Sequence, residues 1–280
     1  MRKDVGVIVS SVMAEHPGWS RDASGTVYRV VRSDASVWLL TGISDRRGRV
    51  ETRAELVSGA GAAPTSDVAD PAELVGPTEM VAPLRESGVV ARWRNPNLWD
   101  AISTAIVRQV VRAGQARNLY RRFCQAHGEL IATRFGPSWL FPDPAVVLEL
   151  PDSAFTEARM AFKRRPLQAA ALAMLESGSK WSKLDPMVLI DELRSVTRIG
   201  PWTARASVAD FCGDFALYPV GDLAVRTWAT RLAPGRAWPE DEPAFARAWT
   251  KLSGDQLCLW TLLTLAWGAK HASNTRAIGS

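Results

Sequence analysis

The sequence predicts a mainly α fold, a large helical domain preceded by a small mixed α/β domain. Three observations carry that expectation. Runs of β-branched and aromatic residues occur early, before Thr52. From Asn95 onward apolar residues recur at three- and four-residue spacing. An apolar content of 47% in 280 residues supports a sizeable core and leaves room for two domains.

The elements follow in order. Residues 26–31 and 36–41 are β-prone runs separated by Ser33-Asp34-Ala35, a hairpin pattern, and residues 49–52 are a third candidate strand. Residues 58–72, with their Gly, Ala, Pro and Asp, read as a loop or linker. The domains are therefore expected at 1–90 and 91–280. Asn95-Pro96 can cap and start a helix on which Leu98, Ile102, Ala105, Ile106 and Gln109 share one face. A second helix over 115–126 ends near Gly128. Others are expected over 153–162, 166–176, 186–196, 203–211, 223–232, 242–252 and 255–270.

Composition narrows the function classes. The formal charge of +5 suits a polyanionic partner without requiring one. Cys124, Cys212 and Cys258 lie far apart, which excludes a local zinc knuckle and offers no disulfide framework; a reducing cytoplasm is the simplest home. After Met1-Arg2-Lys3-Asp4, the apolar stretch from Val5 to Val12 is too short to span a membrane and too weak for a secretory signal. A soluble protein without membrane association is expected.

The densest information lies between Leu193 and Leu232. An apolar helix end runs into Thr197-Arg198-Ile199-Gly200, and a new helix opens with Pro201. So tight a turn leaves backbone N–H groups free at the second helix's N-terminus, where they can hold a phosphate without sequence preference. Ile199 would plug between the helices, and Gly200 would permit close backbone approach. An ordinary turn between bundle helices has the same local pattern. Beyond it, Tyr218-Pro219-Val220-Gly221 leads to Asp222, which opens the helix Leu223-Ala224-Val225-Arg226. An Asp there is an ordinary N-cap, a role compatible with chemistry.

Hairpin, loop and Asp together resemble the helix-hairpin-helix (HhH-GPD) superfamily of DNA glycosylases. The run Ile199-Gly200-Pro201-Trp202-Thr203-Ala204 and the twenty-residue step from Trp202 to Asp222 are most similar to its alkylpurine branch, that of bacterial 3-methyladenine DNA glycosylase II. The resemblance covers roughly Asn95 to Lys270. It implies that Asp222 is the catalytic carboxylate, and that Arg198, Ile199, Gly200 and Thr203 bind DNA phosphate. It also implies that Gln109 and Val110 fill the stack left by an extruded base. Trp202 is the candidate for stacking on the extruded base, and Trp267 is a weaker one because the last helix aligns in two registers. Ala206 stands where the family has a second aromatic, which points to a wider pocket.

The chemistry suits an Asp. Breaking an N-glycosidic bond develops oxocarbenium character on the sugar, which a nearby carboxylate stabilises while orienting water. A cationic alkylpurine needs little acid catalysis to leave, and His16, His127 and His271 all lie outside this segment. Where related glycosylase–lyases carry a Schiff-base Lys, this chain has Trp202; Arg194, Arg198, Arg205 and Arg226 are too basic to replace it. Nothing after Cys258 supplies an iron–sulfur ligand set. Arg198, where the family favours Gly, is expected to add a phosphate contact while forfeiting a left-handed backbone position. Lys163-Arg164-Arg165 reads as a solvated helix end.

The expectation is a monofunctional, monomeric glycosylase that releases 3-methyladenine or 7-methylguanine from double-stranded DNA, in the cytoplasm or at a nucleoid. It requires no cofactor, and no metal ligand is identified; by resemblance, Na+, K+ or Mg2+ at the hairpin could bridge backbone carbonyls to phosphate. The alternatives are a glycosylase for bulky alkyl adducts, suggested by Ala206, a non-catalytic helix-hairpin-helix DNA-binding module, and a structural helical interaction protein.

Overall fold

The computed structural model describes residues 6–277, and only the backbone of 273–277; Met1 to Val5, named above, lie outside the described residues. The N-terminal part contains β1 (Val7–Val9), β2 (Ser11–Val12), β3 (Ser20–Arg21), β4 (Val27–Ser33), β5 (Ser36–Ser44) and β6 (Val50–Ser58). It continues through β7 (Ser66–Ala69), α1 (Thr78–Ser87) and β8 (Val90–Trp93). One antiparallel sheet has the order β1-β6-β5-β4-β3, and a second has the order β2-β8-β7. The hairpin between β4 and β5 closes on Ser33 opposite Ser36, with Asp34 at φ +49, a conformation Asp tolerates better than most residues.

The residues read as a linker contain a strand. β7 pairs antiparallel with β8, Val68 opposite Ala91, while β8 runs parallel to β2. Ser-Asp-Val-Ala has little strand propensity, and a partner more than twenty residues away supplies the ladder. The helix α1 also escaped the sequence reading; Met80, Val81 and Leu84 are buried, but Pro83 interrupts its pattern.

The helical part comprises α2 (Leu98–Arg108), α3 (Ala113–His127), a hairpin of β9 (Leu130–Thr133) and β10 (Gly136–Trp139), α4 (Pro144–Glu149), α5 (Asp152–Glu157) and α6 (Arg164–Trp181). It ends with α7 (Pro186–Ser195), α8 (Pro201–Cys212), α9 (Leu223–Leu232), α10 (Glu242–Ser253) and α11 (Leu257–Ala277). The expected helix over 153–162 is broken: α5 stops at Glu157, and Arg159 takes φ +59 before a short 3-10 turn, Ala161–Lys163. The cap of α2 is Asn97, whose Oδ1 accepts from the Asp100 amide, and not Asn95. Asn95 is buried instead and donates to both Asp100 and Asp210.

Two apolar clusters share α2 and α8. Ile102, Ile106, Ala204 and Val208 belong to the cluster with α3, α6 and α7. Ala105, Ala206 and Ala209 belong to the one with α1, α9, α10 and α11. Small residues on α8 let α2 approach closely, so the ends of these two helices are held in fixed relation. A buried polar node ties the N-terminal sheets to α2. Asp100 accepts from Arg29, Asn95 and the Tyr120 hydroxyl, the last at 2.6 Å.

No helix among the described residues is long and apolar enough to cross a membrane. Nor do three or more His, Cys, Asp or Glu gather there as a metal-ligand group.

Candidate active site

The turn between α7 and α8 is tight. The Ile199 amide donates to the Val196 carbonyl at 3.0 Å, and α8 begins at Pro201 with its first bond from Ala204 to the Gly200 carbonyl. Ile199 is buried in the first cluster and plugs the two helices together. Among the described residues the amides of Gly200, Trp202 and Thr203 have no protein acceptor, so they are donors at a helix N-terminus. The carbonyls of Thr197, Arg198 and Ile199 likewise accept no hydrogen bond there. A Cβ on Gly200 would meet nothing within 4 Å, which leaves that face of the turn open.

One expectation at this turn is corrected. Arg198 keeps the left-handed backbone, φ +71, at a steric cost that Gly would avoid. The Thr203 side chain is buried, and its hydroxyl accepts from Gln109 Nε2. What Thr203 can offer a phosphate is its amide.

Asp222 caps α9, its Oδ2 accepting from the Ala224 amide at 3.3 Å. Two further donors converge on the carboxylate. Trp202 Nε1 donates to Oδ1 at 2.9 Å and the Tyr218 hydroxyl donates to Oδ2 at 3.2 Å. Neither partner was assigned this role from sequence. The Tyr-Pro-Val-Gly loop brings Tyr218 back over the start of its own helix, because Asp222 N bonds the Pro219 carbonyl at 2.8 Å. Burial pushes the Tyr218 phenol above its ordinary range; Arg108 opposes the shift and Asp222 adds to it, so Tyr218 stays a donor.

Arg108, the last residue of α2, is a second omission. Burial works against its charge, but Tyr218 and the carboxylates of Glu15, Asp210 and Asp222 outweigh it and hold the guanidinium above its usual range. The sequence signal was present, a lone Arg ending the helix after the apolar run Ala105-Ile106-Val107.

Gln109 and Val110 separate sharply. The Gln109 side-chain amide donates to the Thr203 hydroxyl, and its backbone carbonyl accepts from Lys163 Nζ at 2.7 Å. Val110 is fully exposed, at 103% of its reference area, and takes φ +58. Lys163 is buried rather than solvated, and Arg164 pairs with Asp152.

Trp202 and Trp267 both pack against the second cluster, but among the described residues their rings do not stack on each other. Trp267 lies edge-to-face with Trp228, and His271 stacks on it at 3.9 Å between centroids. A histidine absent from the hairpin segment thus lies beside a candidate pocket residue. Ala206 is buried in that same cluster.

No protein-family model matches this chain, and no curated protein sequence matches it. Solved structures do. The chain is similar over 97% of its length to 98% of MBOgg1 in complex with a low-affinity DNA ligand, with TM-score 0.70 and 14% identity. It is similar over 93% of its length to 92% of the 3-methyladenine DNA glycosylase of Archaeoglobus fulgidus, with TM-score 0.66 and 15% identity. Against the Clostridium acetobutylicum 8-oxoguanine glycosylase/lyase bound to DNA, 97% of each chain aligns, with TM-score 0.67 and 13% identity.

Proposed function

Because this chain has the fold of the helix-hairpin-helix DNA glycosylases, we propose that it is a DNA glycosylase that hydrolyses the bond between an alkylated, cationic purine and deoxyribose. The observation that carries this reading is the carboxylate of Asp222, oriented by Trp202, Tyr218 and Ala224 next to a turn whose amides are free.

In this mechanism the amides of Gly200, Trp202 and Thr203 hold a phosphate and set the duplex in register. The target nucleotide leaves the stack, at a cost of a few kcal/mol, and Val110 fills the gap. As the C–N bond lengthens, Asp222 stabilises the positive charge on the sugar and holds the attacking water, taking up its proton as the new C–O bond forms. A base that is already cationic leaves neutral, so no acid has to be supplied. Trp202, in the place of a lysine nucleophile, makes strand cleavage through a Schiff base inaccessible at that position. The carbonyls of Thr197, Arg198 and Ile199, neutral oxygen donors of the kind an alkali or alkaline-earth ion takes, would hold such an ion, which would add positive charge for a bound phosphate.

Arg108 favours a second reading. A guanidinium within electrostatic range of Asp222 repels a cationic base and suits a neutral lesion with acceptor atoms, whose departing charge it would offset.

The test is base release measured by chromatography. Wild type and Asp222→Asn are incubated with duplexes carrying 7-methylguanine or, separately, 8-oxoguanine. Release of 7-methylguanine by wild type alone supports the first reading, and selective release of 8-oxoguanine supports the second. Release of neither base sinks both. Strand breakage without alkali contradicts simple hydrolysis.

A further inference from the structure

Lys163 ends the 3-10 turn before α6, and its side chain is only 3% exposed. Its ammonium stands 5.1 Å from the Phe162 ring centroid and donates to one backbone oxygen, that of Gln109. A buried ammonium is costly, so its placement needs a compensating use. Gln109 closes α2, where the free carbonyl end of the helix attracts a cation.

The target of this bond is what matters. The Gln109 carbonyl and the Val110 nitrogen belong to one planar peptide unit, so anchoring that oxygen limits rotation about Gln109 ψ and Val110 φ together. Val110 is a β-branched residue at φ +58 with its side chain wholly in solvent. Left to itself such a residue relaxes to negative φ. Two tethers on the preceding residue oppose this relaxation: Lys163 on its carbonyl and Thr203 on its side chain.

We propose that Lys163 is a positioning residue that holds the 109–112 loop so that Val110 projects ready to enter a base stack. The inference rests on the glycosylase reading above for what Val110 enters, but not for the clamp itself. Burial lowers the Lys163 pKa to about 8, which fits an amine enclosed by protein and kept for one acceptor.

Two readouts on the full-length protein test it, with Lys163→Met and Lys163→Arg. The first is the rate of trypsin cleavage after the exposed Arg112, followed by mass spectrometry on protein still folded by circular dichroism. The second is base release from a lesion in duplex DNA and from the same lesion in a single strand. Losing a charge-assisted bond should speed Arg112 cleavage about tenfold in Lys163→Met and slow duplex release by a similar factor. Release from the single strand, which leaves no gap to fill, should change less than about twofold. Lys163→Arg should recover part of the duplex rate. Equal losses on both substrates, or unchanged Arg112 cleavage, overturn the proposal. If wild type releases no base from either strand form, the glycosylase reading fails, and the cleavage rate alone decides the clamp.

Discussion

The indole nitrogen of Trp202 donates to Oδ1 of Asp222 at 2.9 Å, across twenty residues and from a different helix. The bond links the turn between α7 and α8 to the carboxylate, so the position of one reports on the other.

Replacing Asp222 by Asn should abolish nearly all base release, by on the order of a hundredfold to a thousandfold or more, while leaving the fold intact. Asn keeps the cap on the Ala224 amide but turns an NH2 toward Trp202 Nε1, so thermal stability should fall by only about 1 kcal/mol. A melting curve alongside the release assay separates the two effects, and a large stability loss would show that Asp222 serves the fold first.

Trp202→Phe keeps an aromatic face and deletes the N–H. Single-turnover release should drop about tenfold, the worth of one hydrogen bond to a charged acceptor, with DNA affinity little changed. Tyr218→Phe removes the longer bond, 3.2 Å, and should cost less. A change in affinity without a change in rate would assign Trp202 to binding alone.

Strain at two positions has opposite predicted signs for stability and function. Val110→Asn should stabilise the protein by about 1 kcal/mol, because Asn accepts positive φ more readily than a β-branched residue. The same change should slow release from duplex DNA. Arg198→Gly should also stabilise, by about 1 kcal/mol, and lower the slope of log affinity against log salt by about one if Arg198 meets a phosphate. Chemical denaturation and a salt titration read the two quantities independently.

His16 makes the fold acid-sensitive. The Gly18 amide donates to Nδ1 at 3.0 Å, so the proton of the neutral ring sits on Nε2, facing Asp100 Oδ2 at 3.1 Å and Thr104 Oγ1 at 2.7 Å. A second ring proton would oppose the Gly18 amide. Burial and then Arg29 lower the His16 pKa, with Asp100 opposing. Below about pH 6.5 the unfolded chain therefore binds more protons than the folded one. Stability from this group is fully present above that pH and lost as pH falls toward the folded value. The melting temperature should drop between pH 7.5 and 5, and less in His16→Gln; equal drops would place the sensitivity elsewhere.

Much of the helical part was legible because its signals are local. Asp185, Asp222 and Asp241 cap α7, α9 and α10 where the sequence puts an Asp before the apolar period. The turn at Ile199-Gly200-Pro201 and its distance to Asp222 could be read from spacing alone. β7 could not, since its four residues pair with β8 only after α1 has intervened. Lys163 misled for the same reason: three adjacent basic residues look solvated until the fold buries the first under the end of α2.

For this protein the sequence alone determined the caps that open α7, α9 and α10, the tight turn, and the carboxylate that follows it, since propensity, capping and period act over a few residues. Only the tertiary structure decided what surrounds that carboxylate. Trp202 and Tyr218 converge on Asp222 because α8 and α9 pack about a shared apolar cluster, and the end of α2 places Arg108 within electrostatic range. Side-chain partners chosen by packing leave no trace in local spacing.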